Sequence, residues 1–369
     1  MEIIQMFEGR DDASFAHKSI YTVIAKPTRA CNADCSYCAA PPYDREQWTI
    51  GTFKLFFDKL KPYLADGATW LWHGGEPMLM GAQFFIDAKE YAESQGVKLS
   101  WSMQTNILKY QSSKWKDVFE NVFQGSISTS YDPDEKDRTV RGSAERYNKQ
   151  FFKALNAMYE DGFDAFIIGV FDDNNIDYAN KLYDLALKHP NKTSIRVNYK
   201  VPVGRANDGA QDLLIDPYVY GSKLVELQRR REQDCADIGI IPNDILEARY
   251  HGRMGDICPW TSTCGGKIIS IEPNGDMYNC DNYAELGEKD FCFGNLKNDT
   301  LSSILTSKPM NQIKSRAFTI HDDCLGCEFY HACKGGCSRD SYIHTGDTNG
   351  KFPYCHSWKM ILNEIKGKK

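Results

Sequence analysis

From Tyr21 to about Ile215 the chain alternates two hydrophobic periods. Short β-rich runs, TVIAK, ATWLWHGG, KLSWSMQT, VFQGSISTS, FDAFIIGVF and SIRVNYKVP, read as six strands. Between them lie stretches such as TFKLFFDKLKPYL, where Phe53, Phe56, Phe57, Leu60 and Leu64 recur at helical spacing. β/α units in series predict an α/β fold with a parallel sheet and right-handed crossovers. In such folds functional residues gather where strands end, and the polar motifs HGGEP, QTN and SISTS each close a predicted strand. The pattern divides the chain into an N-terminal extension over 1–20, the α/β region over 21–215 and a helical connector over 216–255. A short-period, Gly-rich and Cys-rich region over 256–360 and a tail over 361–369 complete it.

Composition narrows the class. With 42% hydrophobic and 25% charged residues in 369, the chain is globular, neither disordered nor low in complexity. No run approaches the ~18 apolar residues of a membrane span. The start, MEIIQMFEGRDD, is acidic where a signal peptide is basic and then apolar; a cytoplasmic protein is expected. A formal charge of −6 argues against nucleic acid as a partner. Thirteen cysteines are too few for a disulfide scaffold, and in a reducing compartment clustered cysteines point to metal or redox chemistry.

Cys31, Cys35 and Cys38 follow the first strand at CxxxCxxC spacing, with Tyr37 before the last of them. Three thiolates are one short of a closed tetrahedral site. A 4Fe-4S cluster so held keeps one iron open to a small ligand; the other reading is zinc completed by a histidine. This segment resembles the radical SAM superfamily, whose CxxxCxΦC motif follows the first strand of a partial (β/α)6 TIM-like barrel. The resemblance implies that S-adenosylmethionine chelates the open iron and is cleaved reductively to a 5′-deoxyadenosyl radical, with Tyr37 beside the cofactor. His73-Gly74-Gly75-Glu76-Pro77 resembles the family's GGEP element. There the glycines permit close backbone approach and Glu76 accepts from the SAM ammonium. Gln104, Thr105 and Asn106 resemble its QTNG, with Ile107 in place of the glycine. GSISTSYD resembles its fourth strand, with Ser128 facing SAM. Asp137, Arg138, Arg141 and Gly142 resemble its HDxxRG run, which makes Arg141 the partner of the SAM carboxylate; the bland alternative for Arg141 is a solvated surface arginine.

Cys264, Gly275, Cys280, Cys324, Cys327, Cys333, Cys337 and Cys355 stand at gaps that resemble the SPASM domain. By that resemblance Cys258, Cys264, Cys280 and Cys337 hold one auxiliary 4Fe-4S cluster, and Cys324, Cys327, Cys333 and Cys355 the other. Counting the triad, eleven of the thirteen cysteines are used, leaving Cys235 and Cys292 as ordinary thiols. Structural zinc is the alternative for these eight. Asp281 follows Cys280 as in anaerobic sulfatase maturases, where that carboxylate is the general base; otherwise it caps or solvates a loop. Tyr278, Tyr283 and Trp260 are expected to shield the clusters from water.

A SPASM extension implies a peptide or protein substrate, and reductive cleavage implies an external electron donor such as flavodoxin or ferredoxin. Asp281 and Cys258 favour a sulfatase-maturase-like site that makes formylglycine. AAPPYD after Cys38 and Asn279 before Cys280 depart from that branch, and Gly204-Arg205-Ala206 resembles maturases that crosslink ribosomally made peptides, the reading preferred here. Thirty residues before Cys31 are too few for a winged-helix leader module, so a leader peptide would use the barrel, a sheet edge or a separate protein. A non-enzymatic iron–sulfur or zinc protein is the alternative of another class.

Overall fold

A computed structural model describes residues 18–39, 46–134, 136–188, 193–207, 213–253, 258, 260, 261, 263–287 and 289–367. The N-terminal extension up to residue 17, and AAPPYD beyond Ala39, lie outside the described residues. All six expected strands are present, each followed by a helix: β1 (Ile20–Ala25), α1 (Ile50–Leu60), β2 (Leu64–Trp72), α2 (Ala82–Ser94), β3 (Ser100–Gln104), α3 (Ser112–Asn121), β4 (Ile127–Ser130), α4 (Ala144–Glu160), β5 (Phe166–Phe171), α5 (Ala179–Lys188), β6 (Ile195–Tyr199) and α6 (Pro217–Gln233). Neighbouring strands from β1 to β6 pair in parallel.

The aromatic periodicity explains the packing. Thr49 caps α1 in a reciprocal box with Thr52, which fixes the helix start. Its face of Phe53, Phe56, Phe57 and Leu60 is then buried against β2 and β3. Phe53 meets Trp70 edge-on at 5.4 Å, and Trp72 stacks near-parallel on Trp101 with centroids 6.2 Å apart.

The sheet does not stop at the expected boundaries. The connector over 216–255 contains β7 (Ile240–Ile241), which pairs in parallel with β6, before α7 (Asn243–Tyr250). Beyond it, β8 (Ile268–Ile271) pairs in parallel with the other side of β1. β9 (Asp276–Tyr278), α8 (Cys280–Glu285) and β10 (Gly294–Asn295) follow, with both added strands antiparallel. One ten-stranded sheet, β10-β9-β8-β1-β2-β3-β4-β5-β6-β7, therefore spans the α/β and cysteine-rich regions. The remaining helices are α9 (Leu301–Leu305), α10 (Lys308–Ser315), α11 (Tyr330–Cys333), α12 (Ser338–Thr345) and α13 (Cys355–Lys366). The expected tail over 361–369 is corrected as well: α13 runs through it to Lys366 and buries Ile361, Leu362 and Ile365. An i, i+4 apolar stripe of this kind needs a partner, and α6 and α7 supply it. Among the described residues no helix is long and apolar enough to cross a membrane.

Phe53 is wholly buried among aromatic rings. Phe53→Ala is expected to lower unfolding stability by about 3–5 kcal/mol, read as an earlier urea midpoint at unchanged slope.

Candidate active site

A cavity of about 300 Å³ opens at the carboxyl ends of the strands, with Cys31, Cys35 and Cys38 on one wall and Asp281 and Glu285 of α8 on another. The triad loop is pinned to the segment after β4, where Asp34 N–H donates to Thr139 O and Ser36 N–H to Asp137 O, each at 2.8 Å. The loop after β2 lies on it from the other side. Gly75 N–H donates to Thr28 O at 2.9 Å and Glu76 N–H to Ala30 O at 2.8 Å. A Cβ on Gly75 would meet Ala30 O at 2.2 Å, so only glycine allows this approach. The close approach expected of the GGEP glycines is thus made to the protein's own backbone.

Glu76 also departs from expectation. It is fully buried, with Oε1 accepting from Met78 N–H at 2.9 Å and Thr105 Oγ1–H at 2.6 Å, and Oε2 from Asn106 N–H at 2.7 Å. Burial pushes its carboxyl up to about 7 against those three donors. The residue ties the β2 and β3 loops together instead of facing the cavity. Thr105 and Asn106 do line it, and Asn106 Nδ2 approaches Cys31 Sγ at 3.8 Å. Ile107 keeps the left-handed turn expected of glycine, at φ 55°.

Two further assignments are corrected. Ser128 donates to Gln104 Oε1 and is not among the cavity-lining residues, whereas Ser130, two residues on along the same face of β4, lines the cavity and accepts from Gln104 Nε2 at 2.9 Å. Arg141 is exposed and lies off the cavity. The arginine that enters is Arg138. Its Nε donates to buried Asp132 at 2.7 Å, Nη2 donates to Tyr37 Oη, and Nη1 approaches Cys35 Sγ at 3.8 Å. Tyr37 lines the cavity as expected and donates to Asp132.

The C-terminal thiols stand in two groups. Cys258, Cys264, Cys280 and Cys337 stand together: burial raises each thiol, and the set's own charges raise Cys264, Cys280 and Cys337 further, Cys264 to about 12. Cys324, Cys327, Cys333 and Cys355 form the other set, where burial and then Cys355 push Cys333 up to about 12. Burial, Glu76 and the other two triad thiols push Cys31 up to about 12. Buried thiols crowded in this way favour a cation that draws off the thiolate charge. The donor chemistry fits iron–sulfur clusters. Cys235 and Cys292 lie outside both sets. Trp260 lines the cavity with its N–H on Cys258 Sγ at 2.9 Å, and Tyr283 is buried beside Cys337.

Asp281 opens α8 directly after Cys280, and its Oδ2 is 3.9 Å from His73 Nε2. Gly74 N–H donates to His73 Nδ1 at 2.8 Å, which leaves Nε2 facing Asp281 with a proton. Burial raises the Asp281 carboxyl, but His73, Lys26 and Arg339 outweigh it and hold the group below its usual range. Glu285, one turn on, is pushed up to about 7 by burial and then by Asp281. The pair is split into a proton acceptor and a group poised near neutrality. Glu285 went unread in the sequence, although its i, i+4 spacing from Asp281 was visible. The face of Arg196, Asn198 and Lys200 at β6 was equally visible in the period of SIRVNYK.

Comparison with known proteins agrees. Residues 258–328 match the SPASM iron–sulfur cluster-binding domain. The cysteine-type anaerobic sulfatase-maturating enzyme of Clostridium perfringens is 24% identical over 363 residues, 92% of this chain and 95% of that protein. The serine-type enzyme of Klebsiella aerogenes is 24% identical over 344 residues, 86% of this chain and 79% of that one. Among solved structures, native anSMEcpe with bound AdoMet and Kp18Cys peptide superposes with TM-score 0.79 at 18% identity, over 94% of this chain and 97% of that one. Streptococcus suis SuiB bound to S-adenosylmethionine gives 0.64 at 16%, over 92% and 77%. Thiol sets and fold together fit an iron–sulfur protein built on an α/β sheet. More narrowly, the chain carries a SPASM iron–sulfur cluster-binding domain and is similar over most of its length to anaerobic sulfatase-maturating enzymes.

The two arginines predict opposite outcomes. Arg138→Ala strands the buried Asp132 carboxylate and is expected to cost about 3–5 kcal/mol, whereas Arg141→Ala stays within about 0.5 kcal/mol. Urea denaturation of the iron-loaded protein measures both.

Proposed function

We propose that the protein is a maturase that oxidises a residue of a ribosomally made peptide by two electrons and closes an intramolecular crosslink. One observation carries the proposal: Asp281 lines the same cavity as the Cys31, Cys35 and Cys38 thiols, while its neighbour Cys280 belongs to the next thiol set. The triad holds the SAM-binding cluster. Cys258, Cys264, Cys280 and Cys337 hold one auxiliary cluster, and Cys324, Cys327, Cys333 and Cys355 the other. When bound, S-adenosylmethionine and its reduced cluster supply a 5′-deoxyadenosyl radical that takes one hydrogen atom from the substrate.

The chain's own residues do the rest. Asp281, held below its usual range by His73, Lys26 and Arg339, accepts the proton that the substrate radical loses, the second electron passing to the auxiliary cluster that Cys280 helps to hold. Thr105, Asn106, Ser130 and Tyr37 wall the cofactor side. An external donor such as flavodoxin or ferredoxin supplies the starting electron. The turn that resembles peptide maturases is built into the triad loop: a Cβ on Gly204 would meet Cys38 O at 2.5 Å, and Arg205 Nη1 donates to Cys35 O at 3.0 Å.

A second reading, formylglycine formation on a sulfatase, is favoured by the near full-length likeness to sulfatase-maturating enzymes. Mass spectrometry of co-expressed candidates separates the two. Crosslinking and serine oxidation each remove two hydrogens, but only the aldehyde captures a hydrazide probe.

Two outcomes test the assignment. Replacing Cys31, Cys35 and Cys38 by alanine is expected to abolish 5′-deoxyadenosine release while about eight irons per chain remain, four for each auxiliary site; loss of all iron contradicts the ligand sets. Asp281→Asn is expected to lower finished product by ~10²-fold or more. The ratio of 5′-deoxyadenosine to product should rise accordingly, and an unchanged ratio would return Asp281 to a capping role.

A further inference from the structure

The cavity wall carries four permanently cationic side chains, Arg138, Arg196, Lys200 and Arg339. Three are neutralised in place. Arg138 pairs with Asp132 at 2.7 Å, Lys200 with Asp137 at 2.9 Å and Asp172 at 2.6 Å, and Arg339 with Asp340 at 3.0 Å. Arg196 has no carboxylate within ion-pair distance among the described residues.

Its surroundings hold it ready instead. Strand alternation puts Arg196 on the cavity face of β6 with Asn198. Nε donates to Asn198 Oδ1 at 2.9 Å, and the guanidinium carbon lies 4.6 Å from the centre of the Trp260 ring. Trp260 is itself fixed, at φ 60°, with its backbone N–H donating to Cys258 Sγ and its ring edge-on to Trp358 at 5.6 Å. A planar cation stacked on one face and tethered through Nε keeps Nη1 and Nη2 in one plane for a two-pronged acceptor. Burial opposes the charge, and Cys258 and Asp281 support it without touching it. Leaving such a group unpaired is unfavourable, and a bound anion relieves it.

We infer that Arg196 anchors a carboxylate of the substrate, placing an acidic group of the peptide beside the residue that reacts at Asp281. The inference rests on the peptide reading above and adds a specificity to it. A carboxylate reaches the site from an Asp or Glu side chain or from the peptide's own terminus. Either would be oriented bidentately, whereas the isosteric amide would place N–H against N–H.

Positional-scanning libraries of synthetic dodecapeptides, one C-terminally amidated and one with a free carboxylate, test this against the anaerobic, iron-loaded enzyme with S-adenosylmethionine. The wild type is expected to enrich Asp or Glu at one position by about tenfold or more over Asn or Gln. Enrichment confined to the free-acid library would assign the anchor to the chain terminus. Arg196→Gln should lose the enrichment and Arg196→Lys should keep part of it. Equal enrichment in Arg196→Gln, or no acidic preference in either wild-type library, overturns the inference while leaving peptide binding intact. Retention of no peptide at all overturns the peptide reading and the anchor with it.

Discussion

Two strand-end loops lie backbone against backbone, closer than any side chain permits, and the site is assembled on that contact. Gly75 rests on Ala30 O and Gly74 on Thr28 O, so the loop that carries the thiols is clamped by the loop that carries His73. Glu76 extends the clamp to the third strand by taking donors from Met78, Thr105 and Asn106. Three consecutive βα loops thereby become one rigid rim. A cofactor that must be held at hydrogen-transfer distance needs such a rim, because misplacement by ~1 Å costs orders of magnitude in rate.

Charge is organised around the same cavity. Most of its cations are matched to carboxylates, and the carboxylates of α8 are split by their neighbours into an Asp281 held below its usual range and a Glu285 poised near 7. α8 reaches the cavity because β8 adds to the free side of β1, so the sheet itself carries the cysteine-rich region to the mouth of the α/β region. The domain seam is therefore continuous sheet, and Asp281 and Cys280 arrive on one element, α8.

Much of this was legible in the chain. Alternation located all six strands of the α/β region, and the resemblance to the SPASM domain suggested how the C-terminal cysteines divide. What escaped had physical causes. β7 and β10 have two residues each, too short for any period to register. Arg138 and Arg141 lie one turn apart in a loop where no periodicity says which enters; the buried carboxylate of Asp132 decides it. Ser128 and Ser130 share a strand face, and only depth along the strand distinguishes them. Glu76 is the instructive case, because its motif predicts a ligand contact while the geometry gives its oxygens to neighbouring loops.

The central claim is that the triad leaves one coordination position for a small molecule inside the cavity. Electron paramagnetic resonance of the anaerobically purified, reduced protein, recorded with and without S-adenosylmethionine, addresses it directly. The account predicts that one reduced cluster signal shifts its g values when S-adenosylmethionine is added and that the other cluster signals do not move. Signals indifferent to S-adenosylmethionine, or zinc in place of iron at Cys31, Cys35 and Cys38, would contradict it.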